Sequence, residues 1–187
     1  MALQKTDTWR LKKWFTVYAP KVFNEVQIGE MPASDEKSAL NRTIKVPLST
    51  LTKNPAHAYS NVFLKVSDVN GDAAHTNILR IEQSHGYIRS LVRRYRGVAD
   101  SVVSTTTKEG KGVVFKIIVI TRNRVAHSKT TGIRKELTEY VWAYAKENEL
   151  NALINAVIEG KLQAEITARI KKIALISKVE VKKLEIR

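Results

Sequence analysis

The sequence contains no cysteine. This absence excludes disulfide bonds, thiolate zinc sites, iron–sulfur ligation and a cysteine nucleophile. Long apolar runs are also missing, since the longest, residues 113–120, is interrupted by Lys116, whereas a membrane-spanning helix needs roughly 20 apolar residues. The first ten residues have neither the apolar core nor the cleavage pattern of a signal peptide. We therefore expect a cytoplasmic protein without a membrane segment.

Common catalytic motifs are absent as well. There is no GxxxxGK[ST] phosphate loop, no GxGxxG and no GxSxG. The four histidines, His57, His75, His85 and His127, show no i, i+4 pair and no neighbouring carboxylate cluster. The sequence therefore predicts no catalytic residue, no metal site and no cofactor.

Acidic residues are scarce, and their scarcity is local. The chain carries 32 Lys+Arg against 18 Asp+Glu, a net charge of +14, and ten of the fourteen surplus charges fall within residues 86–135. Clustered like charges repel one another unless a polyanion opposes them. More than half of the twelve basic residues in this segment are arginines, whose planar fork grips phosphate oxygens in pairs. These features favour a nucleic-acid partner over a basic face that is merely solvated.

Two hairpins are the firmest local predictions. The first joins residues 62–69 to residues 75–82 through Asn70-Gly71, a pair that accommodates the positive φ angles of a tight turn. The second joins residues 102–107 to residues 113–121, and the nearly all-apolar second arm indicates a central, buried strand. Residues 43–48 alternate and contain Pro47, which predicts an edge strand. Residues 29–41 are polar and rich in turn formers, which predicts a loop.

Residues 87–96 have helical spacing. Ile88, Leu91, Val92 and Tyr95 share one stripe, and Arg89, Arg93 and Arg96 share another. The spacing predicts an arginine-bearing helix that ends at Gly97, anchored on one side and basic on the other. For Arg94, which lies off the arginine stripe, an ion pair within the protein is the alternative to RNA binding.

The last third of the chain is predicted to be helical. Helical spacing begins at Ile133, a second helix is expected to open at Asn148 as N-cap and close at Gly160, and a third runs over residues 161–174. Residues 177–182 alternate and predict a final strand. Because that strand must pair with the earlier sheet, the pattern indicates an α+β fold with one mixed sheet of about six or seven strands. We expect a basic and aromatic N-terminal arm over residues 1–30 and a single domain over residues 31–187.

The densest candidate site spans residues 121–135. It follows the buried strand and precedes a helix, so a loop held at both ends is expected, with helix amides available to a phosphate. Its arginine, lysine, histidine, serine and threonine residues, with no acid among them, are typical of phosphate binding. At the N-terminal end, Lys12 and Lys13 are the stronger RNA candidates, and Trp14 can equally stack on a base or pack into the core.

Several segments, in this order and spacing, resemble the S3Ae (e-class S-one) family of small-subunit ribosomal proteins over nearly the whole chain. The resemblance includes the segments KKW (residues 12–14), IGE (28–30), FLKVSDVNG (63–71), YIRSLVRR (87–94), VVFKIIVITR (113–122), HSKTTGIRK (127–135) and VEVKKLEIR (179–187). The short ends are similar to those of archaeal members.

The resemblance implies a β-barrel-like core flanked by helices, on the platform of the small subunit near the mRNA exit. It implies contacts with small-subunit ribosomal RNA near its 3′ end, with neighbouring ribosomal proteins and with mRNA near the exit, and it implies neither enzymatic activity nor a cofactor. The RNA-binding candidates are Arg10, Lys12, Lys13, Arg89, Arg93, Arg94, Arg96, Arg122, Arg124, His127, Lys129, Arg134 and Lys135.

Two other classes of function remain open from the sequence. An RNA-processing or modifying enzyme would use His127, Ser128 and Lys129. A translation factor or RNA chaperone that visits ribosomes transiently would share the basic composition.

Overall fold

The fold is α+β, as predicted. The computed structural model describes Trp9 and residues 12–187, and within them the strands form a mixed sheet. The strands are β1 (Lys13–Tyr18), β2 (Gln27–Ala33), β3 (Thr43–Pro47), β4 (Ser60–Asn70), β5 (Ala73–Gln83), β6 (Val98–Thr106), β7 (Gly112–Thr121) and β8 (Ile176–Ile186). The α-helices are α1 (Glu36–Ala39), α2 (Leu48–Thr52), α3 (His85–Leu91), α4 (His127–Glu147), α5 (Leu150–Glu159) and α6 (Lys161–Ile170).

The chain divides into two compact units, residues 1–79 and residues 80–187. No helix in the described part of the chain is long and apolar enough to cross a membrane. All the basic candidates from Arg89 onward lie in the second unit.

In the first unit, the predicted hairpin is confirmed. Strands β4 and β5 pair, and Gly71 in the turn between them has a φ of 59°. Strand β3 pairs with β4 alone among the described strands and ends at Pro47, so the predicted edge strand is also confirmed. Strand β1 pairs antiparallel with β2 and parallel with the start of β5. Phe15, Val17 and Val66 are among the buried side chains that these strands bring together.

The predicted loop over residues 29–41 is wrong over most of its length, because β2 extends to Ala33 and α1 occupies Glu36–Ala39. Residues 27–33 form β2, because they pair antiparallel with β1 and because Met31 and Ala33 are buried in the core of this unit. Pro32, which suggested a turn, is tolerated because β2 is an edge strand that pairs with β1 alone among the described strands. This strand and β1 raise the count above the predicted six or seven.

In the second unit, the predicted second hairpin and the final strand are confirmed. Strand β7 lies between β6 and β8, antiparallel to both, and is buried along most of its length. Strand β8 also pairs with the end of β5. The hydrophobic run that signalled a central strand in the sequence thus has neighbours on both sides.

The three C-terminal helices are confirmed with shifted ends. Helix α4 packs along β6 and against α6, burying Ile133, Leu137 and Val141. Helix α5 closes at Gly160, whose φ of 80° suits glycine, but it opens at Glu149 and not at Asn148. Asn148 instead ends α4, where its side-chain amide donates to the carbonyl of Tyr144 at 2.8 Å.

Candidate nucleic-acid interface

Two arginine-rich segments that are separated in sequence lie side by side. Residues 92–97 lead into β6, and residues 122–126 follow β7. Because the two strands are antiparallel and Val98 pairs with Ile120, the beginning of β6 and the end of β7 meet at the same edge. The structure therefore joins the two main groups of predicted RNA-binding residues into one site.

Gly97 and Thr121 fasten the two segments to each other. The backbone N–H of Thr121 donates to the carbonyl of Gly97 at 2.9 Å, and the N–H of Gly97 donates to Thr121 Oγ1 at 3.0 Å. Thr121 Oγ1 in turn donates to the carbonyl of Asn123 at 2.6 Å. A Cβ at position 97 would stand 2.6 Å from that buried hydroxyl, so only glycine permits this approach.

Helix α3 is anchored to β7 close to this edge. Ile88 packs with Ile118 and Ile120 of β7, and Leu91 packs against the same cluster, so this half of the predicted anchoring stripe is confirmed. On the same helix, the Tyr87 hydroxyl donates to Glu180 Oε1 at 2.9 Å and also contacts Lys178.

The contacts of Tyr87 with Lys178 and Glu180 affect the pKa of its hydroxyl. Burial raises the pKa of Tyr87 above its ordinary value; the bond from Lys178 opposes that rise, and the Glu180 carboxylate adds to it. The phenol therefore stays protonated and holds α3 to β8 at every physiological pH.

The predicted helix over residues 87–96 is wrong in its second half. Helix α3 ends at Leu91, and Val92 is extended and exposed. The Arg96 guanidinium donates to the carbonyl of Leu91 at 3.4 Å, one of the acceptors that the end of a helix leaves free. Only Arg89 of the four arginines is therefore on the helix, and Arg93, Arg94 and Arg96 lie in the loop that follows.

The predicted loop over residues 121–135 is much shorter than expected. Helix α4 begins at His127, so His127, Lys129, Arg134 and Lys135 project from helical turns and not from a loop. The first turns of this helix lack a capping side chain and contain Thr130, Thr131 and Gly132, which is why the sequence did not indicate a helix. Packing of the apolar face that starts at Ile133 overrides these weak local preferences.

Most basic residues at this edge are exposed, and they have no acidic partner in the part of the chain that the structure describes. Arg96 is half-buried, and Arg134 uses Nε to donate to the backbone carbonyl of Asp100 at 3.2 Å. No ion pair with a carboxylate of the described residues is found for any member of the site, including Arg94, for which an internal pair was the alternative. The exposed members are Arg89, Arg93, Arg94, Arg122, Arg124, His127, Lys129, Arg134 and Lys135.

Comparison with known proteins decides the family. Residues 2–187 match the model of the Ribosomal S3Ae family. The chain belongs to this family. It is 38% identical over 180 residues to the small ribosomal subunit protein eS1 of Sulfurisphaera tokodaii, a match that covers 96% of this chain and 93% of the relative. It is 34% identical over 186 residues to the protein of the same name from Pyrobaculum neutrophilum, covering 100% of this chain and 84% of the relative.

The N-terminal basic group of this S3Ae chain lies in the first unit and is considered by itself. Lys13 is exposed at the start of β1, and Lys12 Nζ lies 4.1 Å from the centre of the Trp9 ring. Trp14 is 56% exposed while Phe15 beside it is buried, so Trp14 does not belong to the core of this unit. Arg10, the third predicted member, falls outside the described residues.

Three residues of the S3Ae chain matter to this edge and were missed by the sequence patterns. Gly97 and Thr121 hold the two segments together, and Tyr95 was assigned to the buried stripe although it is 77% exposed. Its ring lies 5.9 Å from the Arg124 guanidinium carbon. The signal available in the sequence was local: a tyrosine flanked by Arg94 and Arg96 and followed by glycine is more typical of a basic turn than of a core helix.

Proposed function

We propose that this chain is a structural constituent of the small ribosomal subunit that binds its ribosomal RNA through arginine and lysine contacts with phosphates. Membership of the S3Ae family and relatives named small ribosomal subunit protein eS1 support this role. The role calls for no catalytic group and no cofactor, and it places the protein in the cytoplasm with its particle.

The observation that carries the proposed RNA contact is the cation cluster at the β6/β7 edge, for whose members no ion pair is found among the described residues. Two loops and the first turns of α4 present it together, and the first amides of a helix have no intrahelical partner. Phosphates bound there would neutralise charges that the protein leaves unpaired, and would hold separate RNA segments against one rigid surface.

Finer features of the proposal follow from the resemblance to S3Ae proteins. They are a location on the platform near the mRNA exit and the 3′ end of the ribosomal RNA, neighbouring ribosomal proteins as partners, and mRNA near the exit as a further contact. The same proposal includes a barrel-like sheet, an RNA contact by the arginine on α3, and an N-terminal arm over residues 1–30 that precedes a single domain. In that arm, Lys12 and Lys13 would provide weaker RNA contacts.

Sedimentation tests the proposed role. The protein should stay with small subunits through a gradient of moderate salt, because a resident component is held by many contacts at once. A variant with Arg122, Arg124 and Arg134 replaced by alanine should bind purified small-subunit ribosomal RNA about 3 kcal/mol more weakly, since each charged contact that is removed contributes about 1 kcal/mol or more.

The matched control removes three cations that are already ion-paired. Replacement of Lys161, Arg169 and Lys183 by glutamine removes the same charge and should leave RNA affinity nearly unchanged. Circular dichroism should show both variants folded. Recovery of the wild-type protein only in the soluble fraction would favour a transient factor over a resident protein, and equal RNA affinity of the arginine variant and the wild type would contradict the proposed contact.

A further inference from the structure

We propose that Tyr95 is a stacking platform for an unpaired RNA base at the centre of the arginine site. This inference rests on the proposed function and goes beyond it, because it assigns a nucleotide conformation and a contact with a base to one residue. Contacts with phosphates alone would not distinguish paired from unpaired RNA.

The first observation is exposure. Tyr95 is 77% exposed, the highest fraction among the exposed large hydrophobic side chains of the described residues. Its neighbours in the chain are Arg94 and Arg96, and the exposed apolar side chain nearest in sequence is Val92, three residues away. An exposed aromatic ring with cations beside it is typical of surfaces that bind single-stranded nucleic acid.

The second observation is the backbone. The N–H of Arg96 donates to the carbonyl of Arg93 at 3.3 Å, which closes a four-residue turn with Tyr95 at its third position. Tyr95 has a φ of 65° there. Glycine or asparagine normally occupies that position when φ is positive, because a bulky side chain is strained. Packing in a protein core does not explain this strained backbone, because the Tyr95 ring is exposed to solvent.

The third observation is the neighbouring cation. The Arg124 guanidinium carbon lies 5.9 Å from the centre of the Tyr95 ring, close to the outer limit of about 6 Å for cation–π attraction. Arg124 comes from the other segment of the site, and the Gly97–Thr121 bonds fix that segment beside the turn. A base stacked on Tyr95 would therefore have a cation beside it for its own phosphate.

The experiment compares two RNA probes with the full-length protein: a short single-stranded oligoadenylate and a blunt RNA duplex of the same length. Tyr95→Asn keeps a residue that tolerates positive φ and removes the ring. It should weaken binding of the single strand about tenfold, the usual loss when one stacking aromatic is removed, and leave duplex binding unchanged. Tyr95→Phe should retain both affinities, because stacking needs the ring and not the hydroxyl.

Two further variants separate stacking from a structural role. Tyr95→Gly should unfold at no lower denaturant concentration than the wild type, since glycine relieves the strain, and should lose the same affinity for the single strand. Trp142→Ala removes an exposed aromatic that also has a cation on its ring, Lys146 at 3.5 Å, but lies outside the site, and it should change neither affinity.

The inference would be overturned if Tyr95→Asn bound oligoadenylate as the wild type does, if it lost duplex and single-strand binding equally, or if Trp142→Ala lost as much. Unchanged RNA affinity with poorer retention on small subunits would indicate a protein partner for Tyr95 and would also overturn it. If the variant with Arg122, Arg124 and Arg134 replaced by alanine binds both probes more weakly and Tyr95→Asn binds both as the wild type does, only the stacking inference fails. Failure of the wild type to bind either probe would overturn the stacking inference and the proposed RNA contact together.

Discussion

Residues 86–135 and residues 136–187 differ in how many of their cations form ion pairs with carboxylates of the described residues. The first segment has twelve basic and two acidic residues, and the second has nine and eight. In the second, Lys161, Lys178 and Lys183 lie 2.5–2.9 Å from glutamates two residues away, and Arg169 lies 4.0 Å from Glu136. In the first segment, the ion pair found between described residues joins Lys111 to Glu109 at 2.9 Å.

The difference separates charge that serves solubility from charge that needs a partner. Paired surface cations contribute little to stability and present little net charge to an outside ligand. Most cations of the first segment have no carboxylate partner among the described residues, and the β6/β7 pairing brings residues 92–97 and 122–126 to one edge, so the field of their arginines adds up at one place. A basic total alone would not have revealed this, because both segments are rich in lysine and arginine.

The largest expected effect comes from separating the two loops of the site, residues 92–97 and residues 122–126. Gly97→Ala would place a methyl group 2.6 Å from Thr121 Oγ1, which is buried and bonded to the same backbone. We expect the free energy of unfolding to fall by about 2 kcal/mol in chemical denaturation, as for other overpacked sites, with weaker RNA binding.

Gly86→Ala is the matched control for that change. A Cβ at Gly86 meets no atom within 4 Å, and alanine favours helix α3, so stability should be unchanged or slightly raised. If Gly97→Ala were as stable as the control and bound RNA equally well, the close approach of the two loops would not hold the site together.

The next effect tests whether the absence of acids matters. Asn123→Asp adds one carboxylate between Arg122 and Arg124, where it can pair with the arginines and repel phosphate. RNA affinity should fall about tenfold, which corresponds to about 1.4 kcal/mol, in a titration monitored by filter binding.

Two variants sharpen that test. Asn123→Ala should lose much less, because it adds no charge. Glu136→Gln removes the partner of Arg169 in the paired segment and should change RNA affinity less than about twofold. Equal RNA affinities for Asn123→Asp and Asn123→Ala would show that a carboxylate among the arginines of residues 86–135 has no effect on RNA binding.

The smallest effect concerns the ion pairs of the second segment. Lys183 Nζ lies 2.7 Å from Glu185 Oε2 and holds the pKa of that carboxyl below its ordinary value. A lowered folded-state pKa stabilises the protein above the unfolded pKa, and that stability is lost as the pH falls through the folded pKa. Glu185→Gln should therefore cost less than about 1 kcal/mol at neutral pH and nothing in strong acid, measured by denaturation at both. A larger cost that persists in acid would show that the pair is not a weak surface contact.

Local sequence signals predicted the strands well and the basic site less well. The Asn70-Gly71 turn, the apolar run of β7 and the alternation of β8 each specify a strand through nearby residues, and all three are confirmed. The order of the pairing, including the parallel pairing of β1 with β5, depends on residues far apart in the chain and has no local signal.

The errors at the site have one physical origin, which is that tertiary contacts override local spacing. Val92 and Tyr95 continue the helical stripe of Ile88, yet the chain leaves the helix after Leu91 and is drawn to Thr121 at Gly97. Weak helix formers precede Ile133, yet packing begins α4 at His127. The candidate residues could be named from charge alone, but their convergence on one edge could not.

The salt dependence of RNA binding tests most directly whether the unpaired arginines neutralise phosphates. The logarithm of the association constant for small-subunit ribosomal RNA should fall linearly with the logarithm of salt concentration, and the slope should become shallower by about 0.7 to 0.9 for each phosphate that the protein no longer neutralises. Replacing Arg122, Arg124 and Arg134 by alanine should therefore reduce the slope by about 2 to 3, while the variant of Lys161, Arg169 and Lys183 stays parallel to the wild type. A line for the arginine variant that is parallel to the wild type would contradict the account.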